Sequence, residues 1–319
     1  MAWPTLRLIA FINGIFLITL AIGMIGPMFT LFVFDRATEV SPFAWAGLIT
    51  FIAGLSMIAR GKPQDVHLRP RDMYLLTVSS WLTVCVFAAL PFMFTQHMSY
   101  TDAFFESMSG ITATGATVLT GLDDMSPGIL IWRSMLHWLG GIGFIAMAVA
   151  ILPMLRIGGM RLFQTESSDR SDKVMPRSHM VAKYMAVAYF GISVLGCLAF
   201  WLAGMNFFDA INHAMSAIST GGFSTSDLSL AKWTQPAVHW VAVVLMILGS
   251  LPFVLYVSTL RGNFSAVLND QQVRGFLGIL ISVWLSMGTW YYFTTDLHWL
   301  DALRHVAVNA TSVMTTTGF

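Results

Sequence analysis

Seven apolar stretches, each long enough to cross a lipid bilayer, dominate the sequence. Each has roughly 18 or more residues, and about 20 helical residues cross a hydrocarbon core about 30 Å thick. The chain has 319 residues, of which 56% are hydrophobic and 10% charged, a composition that a surface in water does not tolerate. We therefore expect seven transmembrane helices, the first of them retained, because it is longer than the apolar core of a signal peptide. The stretches are Leu6–Phe34, Pro42–Ala59, Met73–Phe94, Pro127–Leu155, Met180–Met205, Val238–Leu260 and Phe276–Phe293.

Charged residues alternate between the connecting loops. Basic residues gather after the second, fourth and sixth apolar stretches, whereas the other loops carry mainly Asp and Glu. By the positive-inside rule, the basic loops and the N-terminus with Arg7 face the cytoplasm. The acidic loops then form an outer face that attracts cations. The basic residues are Arg60, Lys62, Arg69, Arg71, Arg156, Arg161, Arg170, Lys173, Arg177, Lys183, Arg261 and Arg274.

An eight-residue pattern occurs three times on the predicted outer side. In each copy a Ser is followed three residues later by a hydroxyl residue and after three more by a Gly, and each copy follows a short apolar segment. These segments are too short to span a bilayer, so we predict re-entrant half-helices. The copies are Ser109–Ala116, Ser216–Phe223 and Ser312–Phe319, and the segments before them are Ala103–Ile111, Ala210–Ile218 and about Leu303–Met314.

The repeated pattern predicts a lined ion pathway. Non-helical backbone at membrane depth is tolerated only where it is buried in protein or lines a water-filled path. The Gly adopts backbone angles that a residue with a Cβ resists, so that successive carbonyls can replace the hydration shell of a cation. The C-terminal ends of the half-helices, which carry partial negative charge, then point at that cation. Ordinary outer turns are the alternative reading, and three copies in register argue against it.

Beside these loops, several other segments resemble the Trk/Ktr/HKT superfamily of potassium transporters, and the TrkH/TrkG type most closely. The resemblance covers the whole chain. Its motifs are specific in combination, although one Thr-Thr-Gly-Phe alone is weak. The further segments are Met125–Ser134, Gly140, Gly141, Gly143, Leu152–Leu155 and Gly158–Ser167.

The resemblance implies an all-α membrane protein in which helix, pore loop and helix repeat around one pseudo-fourfold axis, after two extra transmembrane helices. We expect the two extra helices in residues 1–70, repeat 1 in 71–178, repeat 2 in 179–270 and an incomplete repeat 3 in 271–319. Backbone carbonyls of the loops would bind the cation, so variation of their side chains is expected. The expected cation-binding residues are Thr112, Ala113, Thr114, Gly115, Ser219, Thr220, Gly221, Gly222, Thr315, Thr316, Thr317 and Gly318.

The resemblance also implies a function. It indicates potassium uptake as the pore-forming subunit of a Trk-type system in the bacterial inner membrane, with potassium as the transported ion and no other cofactor, and no enzymatic activity. Gly at position 115 resembles the potassium-selective pattern. A proton- or sodium-coupled cation transporter and a non-conducting fragment of such a subunit stay open as alternatives. The printed sequence ends at Phe319, inside the third loop, so we expect that the 319-residue chain does not conduct selectively by itself.

Partners follow from the same resemblance. We expect a homodimer in membrane lipid and a cytosolic, TrkA-like nucleotide-binding regulator, with no nucleic-acid partner. The loop from Arg156 to Lys183 is the candidate docking surface for the regulator, and attraction to lipid headgroups is the alternative.

Several other polar residues have competing interpretations. Four histidines, His137, His213, His239 and His305, are expected to pack with hydrogen bonds rather than bind metal or relay protons. Asp102 either caps a half-helix or, like Glu106, attracts cations. Arg133 is expected to pair with Asp123 or Asp124. The glycines at 140, 141 and 143 favour close helix approach over a hinge.

Overall fold

The chain is built from α-helices in every part that the structure, a computed structural model, describes: residues 3–59, 70–155, 174–263 and 265–319. Short 3-10 turns at Ala37–Glu39, Leu122–Asp124 and Ser229–Lys232 join some of the helices. The helices are α1 (Trp3–Gly23), α2 (Ile25–Val33), α3 (Val40–Ile58), α4 (Pro70–Ala88), α5 (Leu90–Gln96), α6 (Tyr100–Ile111), α7 (Pro127–Leu155), α8 (Val174–Leu202), α9 (Phe207–Ile218), α10 (Pro236–Ser250), α11 (Phe253–Leu260), α12 (Ser265–Asn269), α13 (Gln271–Thr294) and α14 (Trp299–Met314).

Prolines interrupt two of the predicted spans without ending them. Pro27 and Pro91 have no backbone N–H and their rings crowd the carbonyl four residues earlier, which divides a helix. The breaks lie between α1 and α2 and between α4 and α5. Each pair still forms one apolar stretch, Thr5–Val33 and Arg71–Gln96.

The sixth predicted span, Val238–Leu260, is wrong as a continuous helix. The structure divides it into α10 and α11, which are bent by 93° across a break at Leu251 and Pro252. Pro252 cannot donate the hydrogen bond that would continue α10, so the chain turns there. Apolar length alone did not reveal this bend because both arms are hydrophobic, and Pro252 was the available signal.

The long helices present apolar side chains outward, as a membrane protein requires. In the described residues, five helical stretches are long and apolar enough to cross a membrane, or six if the bent pair α10 and α11 counts as one. On α13 only 11% of the most apolar window is buried, and Ile279, Leu285 and Phe293 are all more than half exposed. Lipid is the environment that accepts such a surface, so the chain is a multi-pass membrane protein.

The three predicted half-helices exist as α6, α9 and α14, and each begins earlier than its apolar segment. Polar caps explain the first two starts. Ser99 accepts a hydrogen bond from the N–H of Asp102, and Asn206 accepts one from the N–H of Asp209. Such caps satisfy backbone N–H groups that have no partner inside the helix. Ser99 and not Asp102 is therefore the cap residue, and the Asp102 carboxylate supports it by accepting from the Ser99 hydroxyl at 2.7 Å.

Each half-helix packs between full-length helices. α6 contacts α4 and α7, α9 contacts α8 and α10, and α14 contacts α13. In addition α9 packs on α7 and α14 packs on α10, so each later half-helix rests on the second helix of the preceding repeat. The same interlocking contact thus occurs twice. The domain boundaries proposed from the sequence stay a prediction.

Two glycines on α7 and α10 lie directly against the ends of the half-helices. A Cβ added to Gly140 would overlap the carbonyl oxygen of Ile111, and one added to Gly249 would overlap that of Ile218. Ile111 and Ile218 occupy the same place in their repeats, so this contact is repeated as well. Gly141 likewise lies against the hydroxyl of Tyr189, whereas none of the residues that the structure describes lies within 4 Å of a Cβ on Gly143. Close approach therefore explains two of the three glycines.

We expect Gly140→Ala to lower the thermal stability of the protein and Gly143→Ala to leave it unchanged or raise it slightly. Ala is a better helix former than Gly by about 1 kcal/mol, but at Gly140 its Cβ would displace the end of α6. The measurement is the temperature at which half of the detergent-solubilised protein leaves the monodisperse peak in size-exclusion chromatography. Equal midpoints for the two variants would contradict this account of the contact.

Candidate functional site

All three half-helices end in the same backbone turn. The residue after the C-cap is left-handed, and two N–H groups fold back onto the last helical turn, as from Ala113 to the carbonyl of Gly110 and from Thr114 to that of Ser109. This is the Schellman motif, which satisfies carbonyls that the helix end leaves free. The left-handed residues are Ala113, Thr220 and Thr316, with φ of 54°, 53° and 57°.

The repeated glycines adopt a second left-handed conformation two residues later. Gly115, Gly222 and Gly318 have φ of 79°, 81° and 84°. Residues with a Cβ resist these angles, which confirms the conformational reason for glycine at this place. The alternation of left-handed and ordinary residues is the same in all three loops, as a repeated function of the backbone would require.

The three loops converge. A Cβ placed on Gly115 would lie within 4 Å of carbonyl oxygens from both other loops, those of Gly221 and Thr317. A Cβ on Gly222 would overlap the carbonyl oxygen of Thr317. In both cases the glycine of one loop meets the residue before the glycine of the next loop, so one rotation relates successive loops. Among the described residues nothing lies within 4 Å of a Cβ on Gly318.

The recurring hydroxyl residue locks the helix end to the loop. Thr112, Ser219 and Thr315 each donate to the carbonyl four residues earlier, at 2.7, 2.8 and 2.7 Å. In loops 1 and 3 the same hydroxyl also lies within hydrogen-bond distance of a second one, that of Thr114 at 2.8 Å and that of Thr317 at 2.7 Å. The side chains are therefore occupied in holding the turn, which leaves backbone oxygens as the groups available to a ligand.

Gly221 departs from the Thr of the other loops because a histidine ring fills its side-chain space. A Cβ on Gly221 would overlap the ring of His137. That ring stacks on Phe223, with centroids 4.0 Å apart, and its Nδ1 is 3.1 Å from the hydroxyl of Ser216. The histidine of repeat 1 thus supports the loop of repeat 2.

A side chain from the second turn of the half-helix holds the segment that leaves each of the first two loops. Thr117 donates to Glu106 at 2.8 Å, and the Nε2 of His213 is 3.0 Å from the hydroxyl of Ser224. Glu106 and His213 are equivalent positions, and in both repeats the partner is 11 residues further along. A carboxylate in repeat 1 and an imidazole in repeat 2 therefore hold the equivalent residue after the loop. Both side chains are buried and lie behind the loops.

Arg133 joins the first two loops from behind. Its Nε donates to Glu106 at 2.8 Å, one terminal nitrogen donates to the carbonyl of Ser224 at 3.0 Å, and the other to Thr117 at 3.2 Å. Its guanidinium also lies 4.0 Å from the centre of the Phe223 ring. Arg133 and Glu106 are 1% and 0% exposed, so removal of either partner would strand a buried charge at a cost of about 3–5 kcal/mol.

Two aspartates also join the same loops reciprocally. Asp227 accepts from the N–H groups of Gly121 and Leu122, and Asp123 accepts from Ser226 and from the N–H of Asp227. Lys232 donates to Asp123 at 2.8 Å and thereby lowers the pKa of that carboxyl below its ordinary value. These carboxylates hold the loops together in addition to making the surface acidic.

Residues 41–290 match the family described as TrkH, cation transport protein. The chain belongs to this TrkH family. It is 42% identical over 318 residues to the Trk system potassium uptake protein TrkI of Halomonas elongata, which covers 99% of this chain and 63% of that protein. It is 37% identical over 260 residues to TrkH of Salmonella typhimurium, with 79% of this chain and 54% of that protein covered.

A solved member of the TrkH family has the same fold. The crystal structure of the potassium transporter TrkH from Vibrio parahaemolyticus superposes with a TM-score of 0.89 at 32% identity, covering 98% of this chain and 65% of that one. The resemblance inferred from the sequence and the helical membrane fold are thereby confirmed. The chain spans somewhat less than two thirds of the length of these relatives.

Two predictions about polar residues are wrong, one about the partner of Arg133 and one about the role of Glu106. Arg133 pairs with Glu106 and not with Asp123 or Asp124, because its side chain lies inside the protein and not at the outer surface. Asp123 instead pairs with Lys232. Glu106 is buried behind the loop, so it does not collect cations at the entrance.

The histidines contribute mainly to packing. His213 is fully buried and its Nδ1 lies 2.8 Å from the carbonyl of Asp209, so it is not in an outer vestibule. His239 hydrogen-bonds to the carbonyl of Leu230, and its ring centroid is 6.4 Å from that of His305. Within the residues that the structure describes, no three His, Cys, Asp or Glu side chains form a group able to hold a metal ion.

The expected role of the 12 loop residues in binding a cation stays a prediction, although the structure brings all three loops together. Sequence reasoning named the residues behind these loops but assigned Arg133 and Glu106 to other partners and roles. Arg133, Glu106 and His137 gave one available signal, which is a charged or ionisable group within an otherwise apolar segment. Of the predicted regulator-docking loop, residues 156–173 lie outside the described residues.

We expect Gly115→Ala to destabilise the protein more than Gly121→Ala. Both glycines have positive φ, 79° and 74°, so Ala at either site pays about 1–2 kcal/mol for the left-handed conformation. Only at Gly115 does the new Cβ also overlap a neighbouring loop, since in the described part of the chain nothing lies within 4 Å of a Cβ on Gly121. Thermal midpoints in detergent compare them; similar losses would mean that the loops are not in contact at Gly115.

We also expect Gly221→Ala and His137→Ala to be coupled. The first substitution forces the His137 ring away and the second removes the ring. The double variant should therefore lose less stability than the two single losses added together, by about 0.5–3 kcal/mol, the range for residues in direct contact. The measurement is a double-mutant cycle of unfolding midpoints, and additive losses would rule out the contact.

Proposed function

We propose that this chain provides three of the loops that form the cation filter of a Trk-type potassium uptake system, as its pore-forming subunit. The observation that carries the proposal is the convergence of Gly115, Gly222 and the carbonyl of Thr317, each at the end of a half-helix. Backbone oxygens held in this way can replace the hydration shell of a cation. The C-terminal ends of three half-helices add partial negative charge at the same place.

Potassium is the proposed cargo. The relatives are named potassium uptake proteins, and Gly115 has the residue type that the resemblance associates with potassium rather than sodium. The proposed ligands are backbone carbonyls of residues 112–115, 219–222 and 315–318. We propose no covalent chemistry for this chain.

The proposed setting is the bacterial inner membrane, with the N-terminus in the cytoplasm. The exposed apolar helices and the alternation of charged loops support this orientation. The proposed partners are a second copy of the chain and a cytosolic, TrkA-like nucleotide-binding regulator that docks on the loop from Arg156 to Lys183. Both partners come from the resemblance, because the names of the relatives refer only to a Trk system and to the uptake protein itself.

Potassium uptake tests the proposal in a bacterial host that lacks its own potassium uptake systems. One strain expresses the 319-residue chain, and a second expresses a chimera in which the chain replaces the matched part of the Halomonas elongata TrkI relative. We expect the chimera to restore growth at low external potassium and the chain alone to fail. In the chimera, Gly222→Ala should abolish uptake because its Cβ overlaps loop 3, whereas Gly121→Ala should retain it.

The outcomes separate the alternatives. A chimera that reaches the membrane folded but transports no potassium would overturn the proposed function. Growth supported by the chain alone would contradict the expectation that these loops are insufficient. Dependence of the uptake on external sodium or on a pH gradient, measured in proteoliposomes, would favour a coupled transporter over a passive or gated pathway.

A further inference from the structure

In loops 2 and 3 an aromatic residue follows the repeated glycine and packs against the second helix of the preceding repeat. We call each such contact a junction, and the buried side chains differ between the two junctions. At the first junction this residue is Phe223, which contacts Arg133 and His137 of α7. At the second junction it is Phe319, which packs against an apolar cluster that contains Ala242 and Met246 of α10.

The register of the two helices makes these positions equivalent. Gly140 on α7 and Gly249 on α10 lie against the same carbonyl in their repeats, that of Ile111 and that of Ile218. Counting back from these glycines, Arg133 corresponds to Ala242, and His137 corresponds to Met246. The fold therefore forms this junction without a charge in repeat 2, so a buried Arg is not a requirement of the architecture.

Arg133 contacts equivalent positions in loops 1 and 2. Thr117 lies two residues beyond Gly115, and Ser224 lies two residues beyond Gly222, and the guanidinium donates to both. Glu106 neutralises the guanidinium and also accepts from the N–H of Val118. The planar guanidinium thus fixes the spacing of the two strands that leave the filter, with no net charge to repel a passing cation.

From this geometry we propose that Arg133 is a positioning residue for ion selectivity. It holds loops 1 and 2 at the separation at which their carbonyls fit potassium and not the smaller sodium ion. This inference rests on the proposed function, because it assigns a role in that filter. It predicts that loss of Arg133 widens the range of cations that pass and does not simply reduce the amount of folded protein.

The test compares potassium and sodium uptake by proteoliposomes that contain the chimera described above. The variants are Arg133→Met, Arg133→Lys and Thr117→Val. Lys232→Met is the matched control, because Lys232 also forms an ion pair between repeats 1 and 2, but with both partners exposed, where such pairs contribute little. Only preparations that are monodisperse in size-exclusion chromatography are compared.

We expect Arg133→Met to lower the potassium-to-sodium uptake ratio at least tenfold, while Lys232→Met leaves the ratio unchanged. Lys at 133 keeps the charge beside Glu106 but cannot match the fork of the guanidinium, so a smaller decrease is expected. Thr117→Val removes the hydroxyl that accepts from Arg133 and donates to Glu106, without changing any charge, and should also lower the ratio. If Arg133→Met gives no folded protein, Arg133→Lys and Thr117→Val decide the question.

An unchanged ratio in the folded Arg133 and Thr117 variants would overturn the inference, whatever happens to their thermal stability or total uptake. A decrease of the same size in Lys232→Met would also overturn it, because the effect would then belong to any contact between the repeats. If the unsubstituted chimera transports no potassium, the proposed function itself fails. A selective chimera that stays selective without Arg133 refutes only the role of this residue.

Discussion

The structure depends on backbone meeting backbone where the three loops converge. Gly115 and Gly222 approach the carbonyl oxygens of the next loop more closely than any residue with a Cβ allows. A side chain at either glycine would overlap these carbonyl oxygens and separate the loops. The half-helices, their Schellman turns and the helices behind them all serve to bring these glycines together.

The sequence alone predicted much of this arrangement, because the relevant signals are local and repeated. Apolar length predicted the spans, and the recurrence of Ser, hydroxyl residue and Gly predicted the half-helices and the left-handed glycines. The bend at Pro252 was missed because an apolar run of sufficient length is also compatible with two shorter arms. The starts of α6 and α9 were missed because their caps, Ser99 and Asn206, are polar and lie outside the apolar segments.

The sequence could not predict hydrogen-bond and ion-pair partners that lie far apart along the chain. Glu106 and Arg133 are 27 residues apart, and Arg133 and Ser224 are 91 apart, so no local spacing links them. Electrostatic reasoning placed Arg133 with the nearest acidic loop, which is the correct expectation for an exposed arginine. Burial changes the outcome, because a desolvated guanidinium needs every donor satisfied and finds those acceptors only behind the two loops.

The acidic residues near the loops have a different role from the one that their charge predicts. Glu106 is neutralised by Arg133, and Asp123 is paired with Lys232 and bonded to Ser226. Neither has a free charge directed at the convergence of the loops. In the proposed filter, the attraction for a cation comes from backbone carbonyls and from the C-terminal ends of α6, α9 and α14. A filter of that kind discriminates by the spacing of its oxygens, and we propose that the buried contacts of Arg133 with both loops control this spacing.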